Sequence, residues 1–260
     1  MPVGLRNSEH DTEKMTKKYH IGTSGWHYDH WEGPFYPEGT SKKERLCYYT
    51  SVFDTVEINN SFYQLPSENT FENWYQSTPD NFIFSVKANR YITHMKNLMD
   101  VEEPIDKFIS RCKLLREKLG GMLFQLPPQW NIDVERFRKF ADLLPNDLRI
   151  TVEFRNETWF SEKIYKILRD ENISFCIFEL GEKESPILTT ADFVYIRLHG
   201  PSGPYQGDYS KDSLKTWAVR INNWLSDDKE VYLYFDNDQK GYAPKNAQEI
   251  EQIIKQATSD

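Results

Sequence analysis

Ile150-Thr151-Val152-Glu153-Phe154-Arg155 alternates apolar and polar side chains without a break, and Val194-Tyr195-Ile196-Arg197-Leu198-His199 repeats the pattern. A period of two is that of a β-strand, so Ile150, Val152 and Phe154 share one face while Thr151, Glu153 and Arg155 share the other. The segments that follow both stretches read as helices, and it is the apolar face that must pack on them. The polar face, with Glu153, Arg155, Arg197 and His199, is then directed to the axis of a closed barrel.

Working outward, the same alternation sets Val56 and Ile58 against Glu57 and Asn59, Phe84 and Val86 against Ser85 and Lys87, and Leu233 and Phe235 against Tyr234 and Asp236. With His20 to Ser24, Met122 to Gln125 and Ile173 to Phe178 added, the chain offers eight strand candidates spaced by about one βα unit each. Helices are predicted between them, for example over Lys42 to Phe53, Pro104 to Leu119 (stopped by Gly120 and Gly121), Val134 to Leu144, Ser161 to Arg169, Ser210 to Leu225 and Asn246 to Gln256. The fold class this implies is α/β, a single TIM-type (β/α)8 barrel over residues 19–260, preceded by a loose extension from Met1 to Lys18. A barrel of about 250 residues matches the 260-residue chain, which leaves no room for a second core.

Chemistry-bearing residues end nearly every strand: GTSGW from Gly22, EINNSFY from Glu57, KANRYITH from Lys87, QLPP from Gln125, EFRNETW from Glu153, RLHG from Arg197 and FDND from Phe235, with a weaker Phe178-Glu179-Leu180 before Gly181. The carboxyl ends of barrel strands are where such folds keep their active sites. Lys87, His94, Arg155, Arg197 and His199 should gather there against Glu57, Glu153 and Asp236, a local reversal of sign in a chain of net charge −8. Arginine forks, a lysine point charge and a histidine near neutrality together describe an anion site with acid/base capacity. The bland reading is that Glu153 with Arg155, or Glu57 with Lys87, are mutual ion pairs plugging the barrel. Aromatic residues crowd the same end, with Trp26 and Tyr63 the first candidates for stacking on a sugar or base. The loop Gly200 to Tyr209, rich in glycine and proline, reads as a lid.

The acidic net charge argues against duplex nucleic acid and anionic membranes as partners. Cys47, Cys112 and Cys176 are too few and too scattered for a disulfide framework or zinc pattern, and Cys176 reads as a small buried hydrophobe within its strand. A reducing, cytoplasmic location is expected, since the first 18 residues resemble neither a signal peptide nor a membrane span. No G-x-S-x-G elbow, phosphate loop or H-E-x-x-H is present, which counts against serine hydrolases, P-loop enzymes and zincins.

Taken together, GTSGWHYDHWEGPFYP, DTVEINNSFYQLP, FSVKANRYITH, GGMLFQLPP, VEFRNETWF, YIRLHG and VYLYFDND resemble the family called domain of unknown function 72, or YecE-like, from about Tyr19 to Ala257. The resemblance implies a TIM-type barrel in a family without an established reaction. Residues matching its shared blocks are Trp26, Glu57, Asn59, Tyr63, Lys87, His94, Gln125, Glu153, Arg155, Arg197, His199 and Asn237. Many members carry asparagine at the position of Asp236, and aspartate near the end of the sixth strand, where this chain has Glu179.

Three functions compete. In the first, the protein is an enzyme acting on a small anionic substrate, phosphorylated or carboxylated and sugar-like. Glu57, Glu153, His199 and His94 are its candidate acid/base groups, and Lys87, Arg155, Arg197, Trp26, Asn59, Tyr63, Gln125 and Asn237 its candidate binding residues. This reading needs no cofactor. In the second, Glu153, Glu179, His199 and Asp236 bind a divalent metal in an isomerase or endonuclease-like barrel, against which Arg155 and Arg197 would repel the cation. In the third, an aromatic and basic pocket binds a nucleotide or a single-stranded base without catalysis.

Overall fold

In a computed structural model, which describes residues 17–257, eight parallel strands form the barrel: β1 (Tyr19–Thr23), β2 (Thr55–Ile58), β3 (Ile83–Lys87), β4 (Leu119–Leu126), β5 (Ile150–Phe154), β6 (Ser174–Leu180), β7 (Phe193–Leu198) and β8 (Glu230–Phe235). Hydrogen bonding runs continuously from β2 through β3, β4, β5, β6, β7 and β8 to β1. The remaining seam, between β1 and β2, is held by a parallel bridge between Ser24 and Glu57 and by the Gly25 amide donating to the Glu57 carbonyl at 2.8 Å. Gly22 makes that seam possible, because a Cβ there would lie 2.3 Å from the Thr55 carbonyl oxygen.

Helices α1 (Arg45–Val52), α2 (Glu68–Gln76), α3 (Glu102–Cys112), α4 (Val134–Ala141), α5 (Glu162–Asp170), α6 (Lys211–Ser226) and α7 (Tyr242–Ala257) surround the strands. Ser67, Asp133 and Ser210 cap α2, α4 and α6 by accepting from backbone amides three residues on, which stops the first turn from leaving its donors unpaired. Ile164, Tyr165, Ile167 and Leu168 of α5 are buried at helical spacing, so one stripe packs inward while the charged positions between them face water.

Two expectations need correction. No helix follows β6 among the described residues; Lys183–Glu184 instead folds back antiparallel on Leu180 and Glu179. Gly181 makes the turn at φ +61°, and Pro186 closely follows, a sequence poorly suited to helix. Gly120 and Gly121 do not stop a helix but lie inside β4, because a Cβ on Gly121 would meet the Tyr195 ring at 2.7 Å. The preceding helix ends at Cys112, followed by a 3-10 segment over Lys113–Lys118.

Leu123, Cys176, Phe193, Tyr195, Tyr232 and Tyr234 fill the lower barrel as a separate interior cluster, so the barrel is a packed core with its site above it. Cys176 is buried and free, as its place in a strand suggested, and its burial pushes the thiol pKa up. Residues 1–16, most of the expected loose extension, lie outside the described residues. Its last two residues are anchored: Lys17 pairs with Asp54 at 2.6 Å and Glu251 at 2.9 Å, and the Lys18 carbonyl accepts from Val231 at 2.8 Å. Among the described residues no helix is long and apolar enough to cross a membrane.

Candidate active site at the barrel mouth

Glu57, Glu153, Arg155, Arg197 and His199 converge at the carboxyl ends of β2, β5 and β7, fully or nearly fully buried. Arg197 is the hub. Its Nε and Nη2 form a fork onto Glu57 at 3.0 and 2.7 Å, Nη2 also reaches Asp236 at 3.0 Å, and Nη1 reaches Glu153 at 2.8 Å and His199 Nε2 at 3.2 Å. A guanidinium has five N–H donors, and here each points at a protein acceptor. The anion-holding role expected of Arg197 therefore has no open donor behind it. The Tyr195 hydroxyl donates to Glu57 at 2.7 Å, completing that carboxylate's shell.

Arg155 pairs with Glu153 on its own strand and donates from Nη2 to His199 Nε2 at 2.8 Å, with its guanidinium 5.0 Å from the Phe178 ring centre. Because His199 Nε2 faces two guanidinium groups, it is the accepting nitrogen, and Nδ1 carries the hydrogen donated to Asp236 at 2.9 Å. Both nitrogens of the expected proton carrier are thus occupied. Burial pushes the Glu153 carboxyl up, but Arg155 and Arg197 outweigh it and hold it well below the usual range; Arg197 does the same for Asp236 against its own burial. Of the two plugging pairs weighed from sequence, Glu153 with Arg155 exists. Glu57 with Lys87 does not, because Glu57 is taken by Arg197.

Above this network opens a cavity of about 600 Å³. Lys87, Asn59, Gln125, His94 and Tyr63 line it, as do Arg90, Phe62, Met95, Tyr28, Tyr205, Asp236 and Asp238. Lys87 ends β3 with 9% of its surface exposed, and among the described residues it forms no ion pair; its ammonium lies 4.5 Å from the Phe62 ring centre. Burial, with repulsion from Arg197 second, brings its pKa down to about 8. His94 stacks edge-on against the same Phe62 at 5.0 Å, and its Nδ1 meets the Thr93 hydroxyl at 2.8 Å. Burial, together with Lys87 and Arg90, lowers its pKa below the ordinary 6.5. It rides on a π-helical turn, Tyr91–Met95, followed by left-handed backbone at Asn97, Leu98 and Asp100, a local irregularity of the sort found where a side chain must be aimed. Asn59 Oδ1 is buried without a hydrogen-bond partner.

Several expected residues lie elsewhere. Trp26 is buried and packs edge-on against Trp74 at 5.7 Å, so it offers no face to a ligand, whereas Tyr63 stands 72% exposed on the rim. Asn237 donates to the Gly207 carbonyl at 2.8 Å and to Asn246 at 2.9 Å, tying the loop after β7 to α7 instead of lining the cavity. That loop brings Tyr205 over the mouth, where its ring meets His199 edge-on at 5.9 Å. The alternative metal set does not assemble. Glu179 shares the outward face of β6 with Phe175 and Ile177 and accepts from Trp217 of α6 at 2.9 Å, and no group of three or more His, Cys, Asp or Glu able to hold a metal occurs among the described residues. Arg90 was missed as a site residue, although it stands three residues after Lys87 in the KANR stretch. Exposed, and without a carboxylate partner among the described residues, it is a second unpaired cation on that wall.

A family model described as "Protein of unknown function DUF72" matches residues 20–260. UPF0759 protein YunF of Bacillus subtilis (strain 168) is 28% identical over 272 residues, covering 90% of this chain and 94% of YunF. A crystal structure of a DUF72 family protein, TM1631 from Thermotoga maritima MSB8, superposes with a TM-score of 0.82 at 30% identity, covering 91% of this chain and 99% of that one. The DUF72 family protein EF0366 of Enterococcus faecalis V583 superposes with a TM-score of 0.79 at 20% identity, covering 91% and 95%, which speaks to fold alone. With the family's match running from β1 through the last helix, and the same barrel in its solved members, this chain belongs to the DUF72 family of proteins of unknown function.

Proposed function

We propose that the cavity at the barrel mouth is an active site for acid/base chemistry on a small anionic substrate, phosphorylated or carboxylated and sugar-like in its polarity. One observation carries this reading: Lys87 and Arg90 face the cavity with no carboxylate partner among the described residues, while the cations beneath them are taken up by Glu57, Glu153 and Asp236. An unpaired, largely buried ammonium costs stability, and an arriving anion recovers it. Lys87 and His94 are pushed in the same direction from different starting points, so at neutral pH the lysine is mostly charged and the imidazole mostly neutral. That combination supplies an acid and a base around one ring, Phe62. Asp236, Asp238, Asn59 and Gln125 line the same cavity and suit hydroxyl groups of the substrate.

Sugar phosphates, hydroxy acids, 2-oxo acids and nucleotides, screened by thermal shift, test the reading. At least one phosphorylated or carboxylated compound should raise Tm, and Arg90→Ala should weaken its binding about 10- to 100-fold, the loss of one charge-assisted contact. Equal binding by wild type and Arg90→Ala would remove the support for an anion at this wall. A ligand that binds in this way and is recovered unchanged under every condition would make the protein a binding module.

A further inference from the structure

The cationic wall raises the question of why a lysine, and not a second arginine, was built at the end of β3. For holding an anion alone, an arginine fork is the stronger group, and it keeps its charge when buried. A lysine in a dry setting beside another cation has a different competence. It can shed its proton and present a free amine as a nucleophile. Lys87 has that setting: Phe62 against its ammonium, the Arg197 guanidinium below, no carboxylate in contact and a cavity in front.

Resting on the anionic-substrate reading above, we propose that Lys87 forms a Schiff base with a carbonyl carbon of the substrate, which is therefore a 2-oxo acid or a keto- or aldehydo-sugar phosphate. The neutral Nζ attacks the carbonyl carbon, a C–N bond forms and the carbonyl oxygen takes up a proton to give a carbinolamine. Expulsion of that oxygen as water leaves a protonated imine, so the ammonium and the carbonyl compound are converted to iminium and one water with charge conserved. No oxidant, metal or second substrate is required. The surroundings of Lys87 fit each demand of this step. His94, with Nε2 free of any partner among the described residues, can take the proton that the ammonium gives up. Arg90 holds the anionic group and leaves the amine to react, and the unpartnered Asn59 Oδ1 accepts from a substrate hydroxyl. The pKa of about 8 keeps a useful fraction of Lys87 neutral at physiological pH.

Reductive trapping tests this directly on the full chain. Pyruvate, glyoxylate, dihydroxyacetone phosphate and glyceraldehyde 3-phosphate are each incubated with the protein and cyanoborohydride, followed by intact mass and peptide mapping. One adduct per chain is expected, on Lys87, saturable, slowed by inorganic phosphate and faster as pH rises toward 8. Adducts spread over exposed lysines, or none at Lys87, would overturn the proposal, and because the mapping is done on wild-type protein the result does not depend on a variant that folds. Thermal shift by the same compounds separates the two readings: anion binding that depends on Arg90 without trapping sinks the Schiff base and leaves the anion site standing. Absence of both sinks both.

Discussion

Replacing Arg197 by methionine is expected to cost about 3–5 kcal/mol of stability at neutral pH, because it strands buried carboxylates that now share one guanidinium. Glu57, Glu153 and Asp236 all meet Arg197 within 3.0 Å; Glu57 and Glu153 are fully buried, and Asp236 borders the cavity. The pH dependence identifies the cause. In wild type the Glu153 and Asp236 carboxyls are held below their unfolded values, so their stabilising contribution is full above about pH 4 and is lost as pH falls through the lower folded pKa. Without Arg197, Asp236 loses the largest charge that opposes its burial, so its folded pKa moves up and stability is lost as pH rises through that window, whereas Glu153 keeps Arg155. Urea unfolding between pH 4 and 8 should therefore show the deficit of Arg197→Met growing with pH. An unchanged midpoint at pH 7 would mean that the network is incidental to the fold.

Lys87→Met should act in the opposite direction. The folded pKa of about 8, against an ordinary 10.5, means that below pH 8 the charged lysine destabilises the native state by about 3 kcal/mol. Between those two values the folded protein binds fewer protons than the unfolded chain, so wild-type stability rises with pH until the penalty is gone. Methionine has nearly the same length and removes the charge, so the variant should be about 2–3 kcal/mol more stable at pH 7, with the gap closing toward pH 10. The same variant should lose ligand binding and any covalent adduct. A gain in stability coupled to a loss of binding is the mark of a residue kept for what it does. Destabilisation by Lys87→Met would instead mean that the lysine is a structural plug.

The alternation in β5 and β7 made the inward faces legible, and with them the convergence of Glu57, Glu153, Arg155, Arg197 and His199. By the same rule Glu179 shares a face with Phe175 and Ile177, which in the structure is the outer face of β6, where Trp217 holds it, and so the four metal ligands taken in strand order do not meet. What the sequence could not convey is which acid meets which base. Glu57 and Arg197 stand 140 residues apart, and only barrel closure sets that guanidinium over Glu57 and leaves Lys87 without a partner. Residue type also misled at Trp26 and Asn237, a large aromatic and an amide whose neighbours turn them into Trp74 and into the loop after β7. Arg90 lies in no alternating strand, so its place on the cavity wall depends on the irregular turn that follows.

The most direct test of Lys87 as a desolvated cation awaiting an anion is a pH titration of its side chain by ¹³C NMR on lysine-labelled protein, assigned with Lys87→Met. A pKa of about 8 is expected in the free protein, rising when phosphate or a binding carboxylate occupies the cavity. A Lys87 pKa at the ordinary 10.5 that no anion moves would contradict the account.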